Sequence, residues 1–199
     1  MELPKRKQIR CPYIDYAKTG VYFITFSALE RRNYFWMHPD KKYTSPDEIE
    51  FNSIGITVKD VLLKISEHYP YTALDHYVIM PDHVHLLLRY LPPEEGEAAP
   101  RKDITVLASQ IKGVITKRIG QSVWQKSFFD HVIRNDRDYL ETVRYIHENP
   151  IRWYFKYTVN DCVSVQSGSN RMVSGAQCTP LQNLDAADFL RKTERRITP

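Results

Sequence analysis

The sequence predicts an α+β domain: a ferredoxin-like, split-βαβ sandwich of order βαββαβ with an additional helix after the last strand. Runs of β-branched and aromatic residues alternate with segments whose apolar residues recur at helical spacing. Prolines, glycines and capping residues fall where one pattern gives way to the other. Two of the strands are separated only by Pro81 and Asp82, chemistry suited to a tight reversal.

The first strand is expected over Val21 to Leu29 (VYFITFSAL), and the charged stretch Glu30 to Glu50 reads as loop. Ser53 is placed to cap a helix whose apolar positions are Ile54, Val58, Val61, Leu62 and Ile65, with Pro70 marking its end. Tyr71 to Met80 forms the second strand, and the reversal leads into the third, His83 to Leu88. Leu91 to Arg101 (LPPEEGEAAPR) is a loop, since it holds three prolines and a glycine. Asp103 caps a second helix with Ile104, Leu107, Ile111, Ile115 and Ile119 on one stripe, and Gly120 terminates it. Val123 to Ile133 supplies the fourth strand. A last core helix is expected from about Asp136 to His147, with Asn135 as cap and Pro150 near its end.

A chain of 199 residues suffices for one hydrophobic core plus extensions. The expected division is a domain over residues 1–157 and a linker with tail over residues 158–199. Val159 to Cys178 is rich in Ser, Gly, Asn and Gln, and Leu181 to Arg196 can form a short helix. The 42% hydrophobic content fits a globular protein, no apolar run approaches membrane-spanning length, and the N-terminus lacks an apolar signal core. A cytoplasmic location and no membrane partner are expected. The three cysteines, Cys11, Cys162 and Cys178, show no metal-type spacing and read as unpaired thiols. Net charge is +4, with basic clusters at both ends, Lys5 to Arg10 and Arg191 to Arg196, that could meet phosphate or simply be solvated.

On the third strand, His83, His85 and Leu87 share one face, and Val84, Leu86 and Leu88 share the other. The apolar set can enter a core and leave two imidazoles side by side on the opposite surface. Neutral imidazole is a common metal ligand, so the pair has the form of a two-histidine platform; two exposed histidines on a strand face would have the same sequence. In the last helix, Tyr139, Leu140, Val143 and Ile146 fall on one side and can pack. Tyr145 and Asn149 lie one turn apart on another face, directed away from that apolar group. They could serve a site outside the helix, or be an interfacial tyrosine and a helix-ending asparagine.

MPDHVHLLL, then WQKSFFDHVIRNDRDY, then YIHENPIRW, preceded by Tyr13 to Thr25 (YIDYAKTGVYFIT), resemble the single-tyrosine HUH transposases, especially the REP-associated tyrosine transposase group. The similarity runs from about Arg10 to Trp153 in the family's order. Asp82 stands where the M-P-N-H version has asparagine, and a turn accepts either.

The resemblance implies that His83 and His85 bind a divalent metal, Mg²⁺ or Mn²⁺, that Tyr145 is the nucleophile, and that Asn149 is the third protein ligand. It implies metal-dependent cleavage and rejoining of single-stranded DNA, hairpin-forming repeat DNA in particular, through a 5′-phosphotyrosine intermediate. The protein would then be DNA-associated. Lys112, Lys117 and Arg118 on the second helix, with Lys126 and Arg134 beside the fourth strand, are the candidate phosphate contacts. Asp130 and His131 match a D-H pair in the resembling segment and are expected to be structural or site-adjacent. Two other readings stay open: a catalytically inactive nucleic-acid binder retaining the fold, and an ordinary metal-dependent hydrolase, which would leave Tyr145 without a role. Monomer and homodimer are equally compatible with the sequence.

Overall fold

The computed structural model describes residues 15–16, 18–43, 45–93 and 101–164, with side chains to residue 155. Its elements run β1 (Gly20–Ser27), α1 (Ser53–Leu63), α2 (Ile65–His68), β2 (Thr72–Ile79), β3 (His83–Tyr90), α3 (Ile104–Ile119), β4 (Phe129–Ile133) and α4 (Asp136–Ser164). The strands form one antiparallel sheet in the order β2-β3-β1-β4. β3 lies between β1 and β2, which are linked through α1. That is the split-βαβ arrangement expected from the sequence.

Register fixes what each face carries. Tyr22, Ile24 and Phe26 of β1 lie opposite Leu88, Leu86 and Val84 of β3, and all six are buried. α1 and α3 pack together over this face, adding Val58, Val61, Leu62, Leu107, Ala108, Ile111 and Ile115. Each buried valine, leucine, isoleucine or phenylalanine among them contributes about 1.5–3 kcal/mol through removal from water. The Asp103 carboxylate caps α3 by accepting from the Thr105 and Val106 amides at 2.8 and 2.9 Å. Gly120 ends it in the left-handed region at φ 79°.

Three local expectations are corrected. Asn52, not Ser53, caps α1: its side-chain oxygen accepts from the Gly55 amide at 3.0 Å, while its nitrogen donates to the Tyr34 carbonyl at 2.9 Å. A serine could not fasten the incoming loop with the same planar group. Residues 30–50 are no solvated loop, since Phe35, Trp36, Tyr43 and Ile49 are buried. The segment presses so closely on α1 that a Cβ on Gly55 would lie 2.2 Å from the Phe35 carbonyl oxygen. Finally, Pro150 does not end α4, which continues to Ser164, across the first residues of the stretch expected to be linker. Proline removes one helix hydrogen bond and crowds the carbonyl four residues back. Here Ile146, Pro150 and Trp153 are all buried, and that packing offsets the loss. The expected short helix over Leu181 to Arg196 lies outside the described residues.

Candidate active site on the sheet face beneath the last helix

α4 crosses the second face of the sheet, touching β2 and β3. Several anchors set its position. His131 of β4 shares its Nε2 hydrogen with both carboxylate oxygens of Asp138, each at 3.0 Å, and Asp138 also accepts from the Arg134 amide at 3.1 Å. The β2 ladder skips Asp75 at an irregularity between Leu74 and His76, and the Tyr139 hydroxyl donates to this carboxylate at 3.2 Å. Further along, the Trp153 indole donates to the Pro39 carbonyl at 3.1 Å. His131 is thus a structural anchor of the tyrosine helix. Asp130, its neighbour in β4, pairs with Ile24 and lies on the opposite face.

Between these anchors, Tyr145 faces His85 at 5.2 Å between ring centroids and meets Phe23 edge-on at 6.0 Å. The tyrosine is therefore not directed away from the sheet. Leu140, expected to pack, is instead exposed. The buried stripe of α4 runs through Val143, Ile146, Asn149 and Trp153, and Tyr145 sits half-buried at its edge. His83 and His85 are neighbours at 4.5 Å, and Trp153 lies 6.4 Å from His83. Residues 145, 149 and 153 form one helical row. Asn149 stands in that row between Tyr145, which lies over His85, and Trp153, which lies beside His83. The Asn149 amide nitrogen donates to the Tyr145 carbonyl at 2.6 Å, so its oxygen is the end left for another partner.

The histidines are not an exposed pair. His85 is 4% exposed, stacked 5.0 Å from Phe23, with Nδ1 bonded to the Thr25 hydroxyl at 2.8 Å. Its Nε2 is buried with no hydrogen-bond partner, and burial holds its pKa well below the ordinary 6.5. A neutral imidazole with a buried, unclaimed nitrogen is the form a metal ligand takes. His83 has its Nδ1 bonded to the carboxylate of Asp82. Among the described residues no cluster of three histidine, cysteine or carboxylate side chains is arranged to hold a metal. Two imidazoles and an amide oxygen are the donors that could hold a divalent cation there.

The expected phosphate contacts divide. Lys112 is buried, and its ammonium donates to the carbonyls of Gln125, Ser127 and Lys126 at 2.5, 3.0 and 3.4 Å. Burial lowers its pKa. Lys112 braces the segment leading into β4 and is corrected from surface contact to internal strut. Arg118 is paired with Asp60. Lys117, Lys126 and Arg134 are exposed. Sequence reasoning missed Thr25 and Phe23 as partners of His85, because both are set by strand register across sixty residues, not by local spacing. It also read Asp82 only as a turn residue.

An α+β sandwich carrying a tyrosine helix over a histidine pair is the class of protein this fold and site define. No protein-family model matches the chain, but named relatives do. A Haemophilus influenzae protein provisionally named a REP-associated tyrosine transposase is 29% identical over 158 residues, spanning 74% of this chain and 79% of the relative. The Escherichia coli K12 REP-associated tyrosine transposase is 25% identical over 147 residues, spanning 73% of this chain and 75% of the relative. The chain is a homologue of the REP-associated tyrosine transposases. A solved REP-associated tyrosine transposase bound to a REP hairpin shares the fold, with TM-score 0.56 at 20% identity over 91% of this chain and 100% of that one. Among the described residues no helix is long and apolar enough to cross a membrane.

Proposed function

We propose that the protein cleaves and rejoins single-stranded DNA, with Tyr145 as nucleophile and a divalent metal, Mg²⁺ or Mn²⁺, held by His83, His85 and Asn149. The observation that carries this is the Tyr145 ring lying 5.2 Å from His85, whose buried Nε2 has no partner in the protein. Homology to transposases supports a transposase-type DNA function, and the neighbour with a bound REP hairpin makes hairpin-forming strands the substrate to try first.

The metal, when bound, would polarise the scissile phosphate and lower the charge that an incoming phenol oxygen meets. The chain's own residues do the rest. The anchors at Asp138, Tyr139 and Trp153 hold α4 so that the Tyr145 ring cannot drift from the histidines. The Tyr145 oxygen bonds to phosphorus, the 3′ oxygen departs and takes up a proton, and the phenol proton passes to solvent. A 5′-phosphotyrosine and a free 3′-hydroxyl result. Because the phosphodiester is exchanged for another ester, a 3′-hydroxyl can reverse the step and join strands without a nucleotide cofactor. Tyr139 is less suited to the role, since its hydroxyl is committed to Asp75 and burial raises its pKa. Lys117, Lys126 and Arg134 remain available to the DNA backbone.

The test is incubation of the purified protein with labelled hairpin-bearing single strands and Mn²⁺, then denaturing electrophoresis. A band shifted by the mass of the protein is expected. Hairpin binding with no adduct under any metal would favour an inactive binding protein.

A further inference from the structure

We propose that Asp82 is a positioning residue for His83, dictating which ring nitrogen that histidine turns to the metal and strengthening it as a ligand. The inference rests on the metal reading above and concerns a residue whose expected duty was only to make a turn. The two histidines are oriented by different chemistry. The Thr25 hydroxyl beside His85 Nδ1 can donate or accept, so it leaves the tautomer open. An ionised carboxylate can only accept. With Asp82 on His83 Nδ1, the hydrogen must sit there, and the lone pair must sit on Nε2.

The setting shows that this contact is built rather than incidental. Asp82 is 4% exposed, although a carboxylate is costly to bury and a turn would accept a neutral residue. Its backbone is held on both sides: the Ala28 amide donates to the Asp82 carbonyl, the Tyr34 amide to that of Pro81, and the Met80 amide to that of His83, each at 2.8 Å. Its second carboxylate oxygen meets the Arg31 guanidinium at 3.6 Å. Arg31 and the preceding Glu30 both adopt φ 54°, a conformation side-chain-bearing residues seldom take, in the turn that brings this guanidinium to Asp82. The row Arg31, Asp82, His83 thus runs from solvent to the candidate metal position. A carboxylate behind a metal-bound imidazole fixes ring orientation and raises ligand basicity.

The experiment uses the full chain with Asp82→Ala and Asp82→Asn. Mn²⁺ affinity is read from the electron paramagnetic resonance of the free ion, the His83 tautomer from long-range ¹H–¹⁵N spectra, and folding from circular dichroism. Asp82→Ala should weaken Mn²⁺ binding by about 10- to 100-fold and leave His83 a mixture of tautomers. Asp82→Asn keeps an accepting oxygen but no charge, so it should hold the tautomer and weaken binding by a smaller factor. Should Asp82→Ala fail to fold, Asp82→Asn decides: Mn²⁺ affinity equal to wild type overturns the proposal. So does a wild-type His83 whose Nδ1 carries no hydrogen. Wild-type protein that binds no Mn²⁺ sinks the metal reading and this role with it. Wild-type binding matched by Asp82→Ala sinks the role of Asp82 alone.

Discussion

The two faces of one sheet are both buried, yet they are built from opposite materials. β3 supplies each: Val84, Leu86 and Leu88 turn towards α1 and α3, while His83 and His85 turn towards α4. On the first face the neighbours are mostly apolar or aromatic; the Lys112 ammonium and the Tyr22 hydroxyl donate to backbone carbonyls there, and the Trp124 indole nitrogen is buried without a partner. On the second, Thr25, His76, His83 and His85 lie under a helix that brings Tyr145 and Asn149, and the Nε2 of His85 is left without a hydrogen bond. Such a group costs stability when buried alone. A two-residue period therefore separates the layer that makes the domain stable from the layer that can do chemistry. Substitutions one residue apart should have effects of different kinds.

Tyr145→Phe gives the sharpest test of that separation. It removes one oxygen and keeps the ring against Phe23 and His85. The covalent DNA adduct should disappear completely, while thermal stability and hairpin binding stay near wild type. Adduct from the purified variant would transfer the role to another tyrosine, Tyr139 first.

Next in size, His83→Ala and His85→Ala should each lower metal-dependent cleavage by about 100- to 1,000-fold, the usual loss when one charge-stabilising group is removed from a site. DNA binding, carried by phosphate contacts, should fall far less. Full cleavage at limiting metal in either variant would break the idea that this face is the catalytic one.

On the opposite face, Ile24→Val deletes one methylene from a side chain with no solvent exposure. It should cost about 0.5–1.5 kcal/mol in urea unfolding and leave the rate of adduct formation per folded molecule unchanged. A rate loss larger than the stability loss would mean that the two layers are not separable.

The same contrast explains what could be read from the sequence. The strand alternation at His83–Leu88, the Asp103 cap and the Gly120 stop were legible because each follows from local backbone geometry. The histidine pair and Tyr145 stood out through residue type and order. What was hidden depends on distant partners. Phe35, Trp36 and Tyr43 are buried in irregular backbone, where no period marks the inward positions. Lys112 looked like surface charge until the carbonyls of residues 125–127 closed around it. Pro150 looked like a stop because its helix-breaking cost is local, whereas the contacts that offset it, such as Trp153 with Trp36 at 6.3 Å, span the chain.

The smallest effect concerns pH. Burial lowers the pKa of His85 far below 6.5 and lowers that of His76 as well, with His147, 5.4 Å away, adding to the shift on His76 and Asp75 opposing it. His147 is itself lowered by burial, with Asp47 working the other way. All three therefore stay neutral in the folded protein at pH values where the unfolded chain takes up protons. More protons bound to the unfolded state means stability that rises with pH. The contribution is complete above about 6.5 and is lost progressively as the solution is acidified below it. Urea unfolding at pH 7.5 and 5.5 should show the midpoint falling in acid. Replacing His76 with Phe should flatten part of that fall, since it removes one group that protonates only on unfolding. A variant whose acid loss matches the wild type would show that His76 is not among the groups responsible. Ile24→Val, which changes no titratable group, should shift the midpoint equally at both pH values and leave the slope alone.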